Sequence, residues 1–184
     1  VRSYEQEDLR NRIGYVSQKA ILFSGTVSSN VAYGENGRGG ITADDVREAV
    51  SIAQAAEFVE RMDGAYGAAI AQSGTNVSGG QKQRLSIARA MARKPEILIF
   101  DDSFSALDYR TDKALRQALR ERTADSTKII VAQRISTIRD ADQILVLDHG
   151  KIVGQGTHEE LLKNCPEYLE IAQSQLSKEE IAHG

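Results

Sequence analysis

From Ser78 onward, short runs that are apolar at nearly every position alternate with amphipathic helical stretches, and this alternation narrows the fold more than any other feature of the chain. "ILIF" (97–100), "TKIIVAQ" (127–133), "QILVLD" (143–148) and "KIVGQG" (151–156) read as strands. "SGGQKQRLSIARAMARK" (78–94) and "RTDKALRQALRERT" (110–123) read as helices, the first of them stopped by Pro95. Strands without a polar face need cover on both sides, which predicts an α/β fold with a mainly parallel sheet and helices packed on it. A further helix is expected from about Thr157, capped by that residue with Glu160 three positions on.

Ahead of Ser78 the rhythm differs. "RIGYVSQ" (12–18) is a short strand running into a polar edge, and "EDLRNR" (7–12) is too short and too charged for more than a helical turn. Between Ala43 and Met62, the residues Val46, Ala49, Val50, Ala53, Ala56 and Val59 share one stripe, which predicts a single helix with Thr42 as its N-cap. "ENGRGG" (35–40) reads as the flexible loop before it. The expected organisation is a core strand in 1–20, a helical subdomain inserted over 21–90, and a return to the core in 91–184.

With 184 residues, 41% hydrophobic and 27% charged, the chain has the length and composition of one globular domain. A formal net charge of −3, with Lys and Arg spread along the sequence, argues against a nucleic-acid binder. Cys165 has no second cysteine to pair with, and His149, His158 and His183 stand too far apart for metal-ligand spacing, so a reducing, cytosolic setting is expected. No apolar run approaches the roughly 18 residues that span a bilayer, and residues 1–18 lack a signal-peptide stretch.

Two places carry chemistry. "ILIFDD" ends a buried strand on paired carboxylates, Asp101 and Asp102, which suits a metal-binding edge. "NVSGGQKQR" puts two glycines directly after Ser78, leaving backbone N–H groups accessible at a helix N-terminus where a phosphate can dock; Ser-Gly-Gly serves equally well as a capped helix start or a turn.

These same segments resemble, in order, the motifs of ATP-binding-cassette (ABC) ATPases. "YVSQ" resembles the Q-loop, "VSGGQKQR" the signature motif, "ILIFDD" the Walker B strand and "SALD" (105–108) the D-loop, while "VAQRISTI" occupies the place of the switch histidine. "LFSGTVSSNVAYG" (22–34) and "ADQILVLDHGKIVGQGTHEELL" (141–162) further resemble the exporter branch of multidrug or lipid type. The resemblance implies a P-loop NTPase-like sheet, ATP and Mg²⁺ as ligands, and a second ABC subunit closing head to tail. It also implies transmembrane domains upstream whose coupling helix meets the Q-loop, at the cytoplasmic face of the cell membrane. On the matching positions, Asp101 and Gln18 would serve the metal, and Gln18 would also reach the attacking water. Ser78, Gly79, Gly80 and Gln81 would grip the γ-phosphate of ATP held by the partner, and Asp108 would act across the interface.

Two departures stand nearest the chemistry. Hydrolytic sites of this family carry Glu after the Walker B Asp, and His at the switch; this chain has Asp102 and Gln133. The shorter Asp retracts its carboxylate by about 1.5 Å, and a misplacement of about 1 Å costs on the order of 10²-fold in rate. Gln133 can donate a hydrogen bond but cannot become a cation. The pair implies a site that holds ATP and splits it slowly beside an intact signature motif, as in one subunit of a heterodimeric exporter; a homodimer with a slow Asp leaves the same sequence.

A third departure is the lack of any G-x-x-x-x-G-K-[ST] stretch, the Walker A phosphate cradle, which in the family precedes the Q-loop. The expectation is a chain truncated at its N-terminus, with negligible ATP affinity, no activity alone, and a marginal or associating sheet. Two other readings stay open, a soluble ABC ATPase of the DNA repair or translation type and a non-catalytic ATP-binding regulatory module. For the remaining residues the plainer roles are expected: packing for Tyr4, Tyr15 and Tyr33, a solvated face for Lys82, Arg84 and Arg89, an inert Cys165 and a helix start for His158.

Overall fold

The structure is a computed structural model describing residues 3–176; His183 lies outside them. The chain divides between Val131 and Ala132 into two compact units.

In the first unit, α1 (Gln6–Arg12), β1 (Ile13–Val16), β2 (Gly25–Thr26), α2 (Val27–Val31), α3 (Ala43–Ile52), α4 (Ala56–Arg61), β3 (Ala69–Ile70), α5 (Gly79–Ala92), β4 (Ile97–Asp101), α6 (Tyr109–Arg122) and β5 (Thr127–Val131) follow one another. The apolar runs pair as predicted: β1, β4 and β5 form a parallel sheet with β4 in the middle, Ile13 opposite Ile97 and Leu98 opposite Lys128. Val16, Leu98 and Phe100 are fully buried, whereas Tyr15, Ile129 and Val131 are about half exposed, so among the described residues one face of this sheet is the better covered. β2 and β3 make a two-residue antiparallel pair under the helical region.

Helix α5 is the axis of the unit. Gln83, Leu85, Ser86, Ile87, Ala88, Ala90, Met91 and Ala92 are all buried, because α2 and α3 pack on it from one direction and β1 from another. Its close seat on β1 depends on Gly14, where a Cβ would come 2.8 Å from Pro95 Cγ and 3.1 Å from the Ala90 carbonyl oxygen. Two cations on α5 hold its neighbours. Arg89 donates to the Asn30 and Ile21 carbonyls at 2.7 and 2.9 Å and to Asn30 Oδ1 at 2.9 Å, beneath the rings of Phe23 and Tyr33. Arg84 donates to the Gln54 carbonyl at 2.7 Å and lies 4.7 Å from the Phe58 ring centre. Burial pulls both guanidinium pKa values down, so the solvated face expected for Arg84 and Arg89 is corrected to structural ties.

The single helix expected over 43–62 is two. Gln54 adopts φ 56°, the Gln54 N–H donates to the Ser51 carbonyl and the Ala55 N–H to that of Val50, a Schellman ending of α3 after which α4 starts afresh. The charged segment at the N-terminus also exceeds the one turn expected: α1 covers seven residues, with Arg12 bridging both oxygens of Glu96 and Arg93 donating to the Arg10 carbonyl. Thr42 caps α3 through a reciprocal pair with Asp45, as predicted.

The second unit holds α7 (Ile135–Ile138), β6 (Ile144–Asp148), β7 (Lys151–Gly156), α8 (His158–Asn164) and α9 (Pro166–Gln175). Here β6 and β7 pair antiparallel through His149 and Gly150, both at positive φ, the backbone that a two-residue hairpin turn demands. Thr157 and Glu160 form the predicted capping box at the start of α8. His158 begins that helix, is buried, and meets the Tyr168 hydroxyl at 2.7 Å. Cys165 is buried against Gly154, where a Cβ would approach its sulfur to 2.6 Å.

Candidate functional site

The carboxyl ends of parallel strands are where α/β sheets bind ligands. Asp101 closes β4, Asp102 follows it, and Gln18 lies two residues beyond β1. Ser103 fastens these two strand ends together, its hydroxyl donating to the Val16 carbonyl at 2.8 Å in a buried position. Gln18 Nε2 then donates to Asp102 Oδ2 at 3.1 Å, and the Tyr15 hydroxyl donates to Asp101 Oδ2 at 2.9 Å. The structure thus brings Gln18, Asp101 and Asp102 together at one edge. Hydrogen bonding to Asp101, followed by desolvation, raises the Tyr15 pKa, so the phenol keeps its proton and stays a donor.

Asp102 has a feature that sequence reasoning missed: its backbone is left-handed, φ 44°, with its N–H donating to the Val131 carbonyl at 2.9 Å. Among residues with a Cβ, Asp and Asn take this conformation most readily. The short acidic residue therefore suits the backbone at this position, an account of its identity independent of its reach.

Ser78 is the N-cap of α5, in a reciprocal pair with Gln81: Ser78 Oγ accepts from the Gln81 N–H at 3.3 Å, and Gln81 Oε1 accepts from the Ser78 N–H at 2.9 Å. The Ser78 hydroxyl hydrogen and the Gln81 NH2 group take no part in that pair. A Cβ on Gly79 would meet nothing within 4 Å, and one on Gly80 only the Ala106 carbonyl oxygen at 3.5 Å. Neither glycine sits at positive φ, so neither packing nor backbone demands them, and what they provide is an open approach to the first N–H groups of the helix.

Asp108 caps α6, accepting from the Thr111 N–H at 2.9 Å and the Thr111 hydroxyl at 2.7 Å, bonds that lower its pKa. Gln133 belongs to the second unit, where its carbonyl accepts from Gln175 Nε2 at 2.8 Å. Among the described residues no three of His, Cys, Asp and Glu gather into a metal cluster. Two adjacent carboxylates and an amide fit Mg²⁺ nonetheless, since that ion is held by one or two carboxylates and completes its shell with water and phosphate oxygens.

The sequence model described as "ABC transporter" matches residues 1–105. The chain belongs to the ABC transporter family. An uncharacterized ABC transporter ATP-binding protein of Mycobacterium tuberculosis is 50% identical over 175 residues, 95% of this chain and 30% of that protein. The ATP-dependent lipid A-core flippase of Aliivibrio fischeri is 39% identical over 171 residues, 93% of this chain and 29% of that protein. The mitochondrial ATP-binding cassette sub-family B member 10 of mouse is 44% identical over 154 residues, 84% of this chain and 22% of that protein. In three dimensions the chain is similar to a bacterial Atm1-family ABC exporter with ATP bound, at TM-score 0.89 and 38% identity, covering 97% of this chain and 31% of that one. This ABC chain spans less than a third of the length of these relatives.

Proposed function

We propose that these residues form part of the ATP-binding, energy-coupling domain of an ABC exporter at the cytoplasmic face of a membrane, with transmembrane domains upstream in the same polypeptide. The observation that carries the reading is the meeting of Gln18, Asp101 and Asp102 at the ends of parallel strands, in a chain whose second anion-competent element is the open glycine start of α5. Mg²⁺, when bound, neutralises and orients the transferred phosphate. Asp101 would hold that ion together with the Gln18 carbonyl oxygen. Asp102 would position water through a carboxylate that Gln18 keeps in place from its amide end.

Ser78, Gly79, Gly80 and Gln81 would present donors to the γ-phosphate of nucleotide bound by a second ABC subunit, with Asp108 facing it across the interface. The likeness to a lipid A-core flippase and to an Atm1-family ABC exporter favours transport over a soluble repair or translation ATPase. Ile21, Phe23 and Tyr33, all exposed around Arg89, offer an apolar seat for a coupling helix. Asp102 and Gln133 make this half the slower one, so a heterodimer with a partner carrying Glu and His fits best.

The test is ATPase activity of the intact protein. Asp102→Glu is expected to raise kcat, and Asp102→Glu with Gln133→His to raise it further, together by about 10²-fold. Equal rates in all three proteins would remove the geometric explanation, and brisk turnover by the unmodified protein without a second subunit would remove the heterodimer.

A further inference from the structure

Among the described residues the phenol of Tyr15 lies outside the packed core. The side chain is 54% exposed, and a phenylalanine would make the same apolar contacts. Its hydroxyl has one described use, the 2.9 Å donation to Asp101 Oδ2. The sheet register puts that contact within reach: Tyr15 pairs with Ile99, so residues 15, 99 and 101 project from the same face and the ring lies diagonally one step short of the carboxylate. The other carboxyl oxygen of Asp101 is the one left to meet an ion.

We propose that Tyr15 is a positioning residue for the metal-binding carboxylate, holding Asp101 in one orientation by hydrogen-bonding one oxygen so that the other is presented to Mg²⁺. This rests on the reading of Asp101 as the metal ligand given above. Carboxylates that ligate metals are commonly fixed in this way, and loss of the fixing partner weakens the metal by about 10- to 100-fold. The phenol's contribution is orientation through a charge-assisted hydrogen bond.

The experiment measures Mn²⁺ binding by electron paramagnetic resonance in the intact protein with a non-hydrolysable ATP analogue, for the wild type, Tyr15→Phe, Asp101→Asn and the double variant. Tyr15→Phe is expected to weaken Mn²⁺ about 10-fold, and its ATPase shortfall to narrow as Mg²⁺ is raised. In the Asp101→Asn background the same change is expected to have no further effect, because the acceptor it acts through has lost its charge. A purely structural tyrosine would lower activity equally at every Mg²⁺ concentration and would act in both backgrounds. Unaltered Mn²⁺ affinity in Tyr15→Phe, with Asp101→Asn weakened, would overturn the role of Tyr15 alone. Unaltered affinity in Asp101→Asn would overturn the metal assignment and this proposal with it.

Discussion

At the scale of single residues, the most consequential side chain outside the site is Arg89. It satisfies two backbone carbonyls and a side-chain oxygen at once, and its guanidinium supports Phe23 and Tyr33. Arg89→Met would keep much of the packing, and the Asn30 side chain would keep its bonds to Phe23 and Thr26, but the Asn30 and Ile21 carbonyls would lose their Arg89 donors, a loss of about 2 kcal/mol by the usual cost of orphaned hydrogen-bond groups. Urea denaturation is the check, and a change well under about 1 kcal/mol would contradict the structural role. From sequence this arginine looked like part of a solvated stripe, because partners at Ile21 and Asn30 are far away along the chain. Asp101, Asp102 and Gln18 were legible as a group only through the order of motifs; spacing alone could not say that residues 84 positions apart would share a 3.1 Å hydrogen bond. The left-handed backbone at Asp102 had no signal beyond the residue type itself.

At the scale of elements, strands and capped helices were readable because each declares itself locally. Apolar runs gave β4 and β5, and the Thr42, Ser78 and Thr157 caps marked α3, α5 and α8 at their first residues. The break between α3 and α4 was hidden since its left-handed position carries Gln54, where a glycine would have announced it. The pairing of β6 with β7 was likewise beyond a pattern that counts apolar positions without assigning direction.

The junction of α8 and α9 makes a pH prediction. Burial lowers the pKa of His158, with Arg139 adding to the shift and Asp140 and Glu159 opposing it, while burial pushes Tyr168 up to about 12. A histidine held neutral in the fold is protonated more readily when unfolded, so its contribution is present above the ordinary imidazole value of about 6.5 and is lost as pH falls below it. The second unit is expected to lose stability as pH falls through about 6.5, the ordinary imidazole value. His158→Gln is expected to flatten that dependence in denaturation midpoints taken across the range; the same slope with and without the imidazole would refute it.

For the whole molecule, the ABC fold is recognisable in the chain even though it spans less than a third of its relatives. The sequence contains no G-x-x-x-x-G-K-[ST] loop, and the roles proposed above for its residues are toward metal, water and a partner's phosphate rather than a cradle for the nucleotide's own phosphates. These 184 residues alone are therefore expected to bind Mg-ATP negligibly, and titration calorimetry showing micromolar binding would contradict that.

Helix α5 also acts as a stiff rod of 14 residues, about 20 Å long, carrying Arg89 toward one end and Ser78 with its two glycines at the other. Because Arg89 ties α5 to the Asn30 and Ile21 carbonyls beneath Phe23 and Tyr33, a push on those rings would be passed to the helix. Leverage of this kind would let an event at the aromatic patch govern how squarely the glycine-bearing tip meets whatever lies opposite.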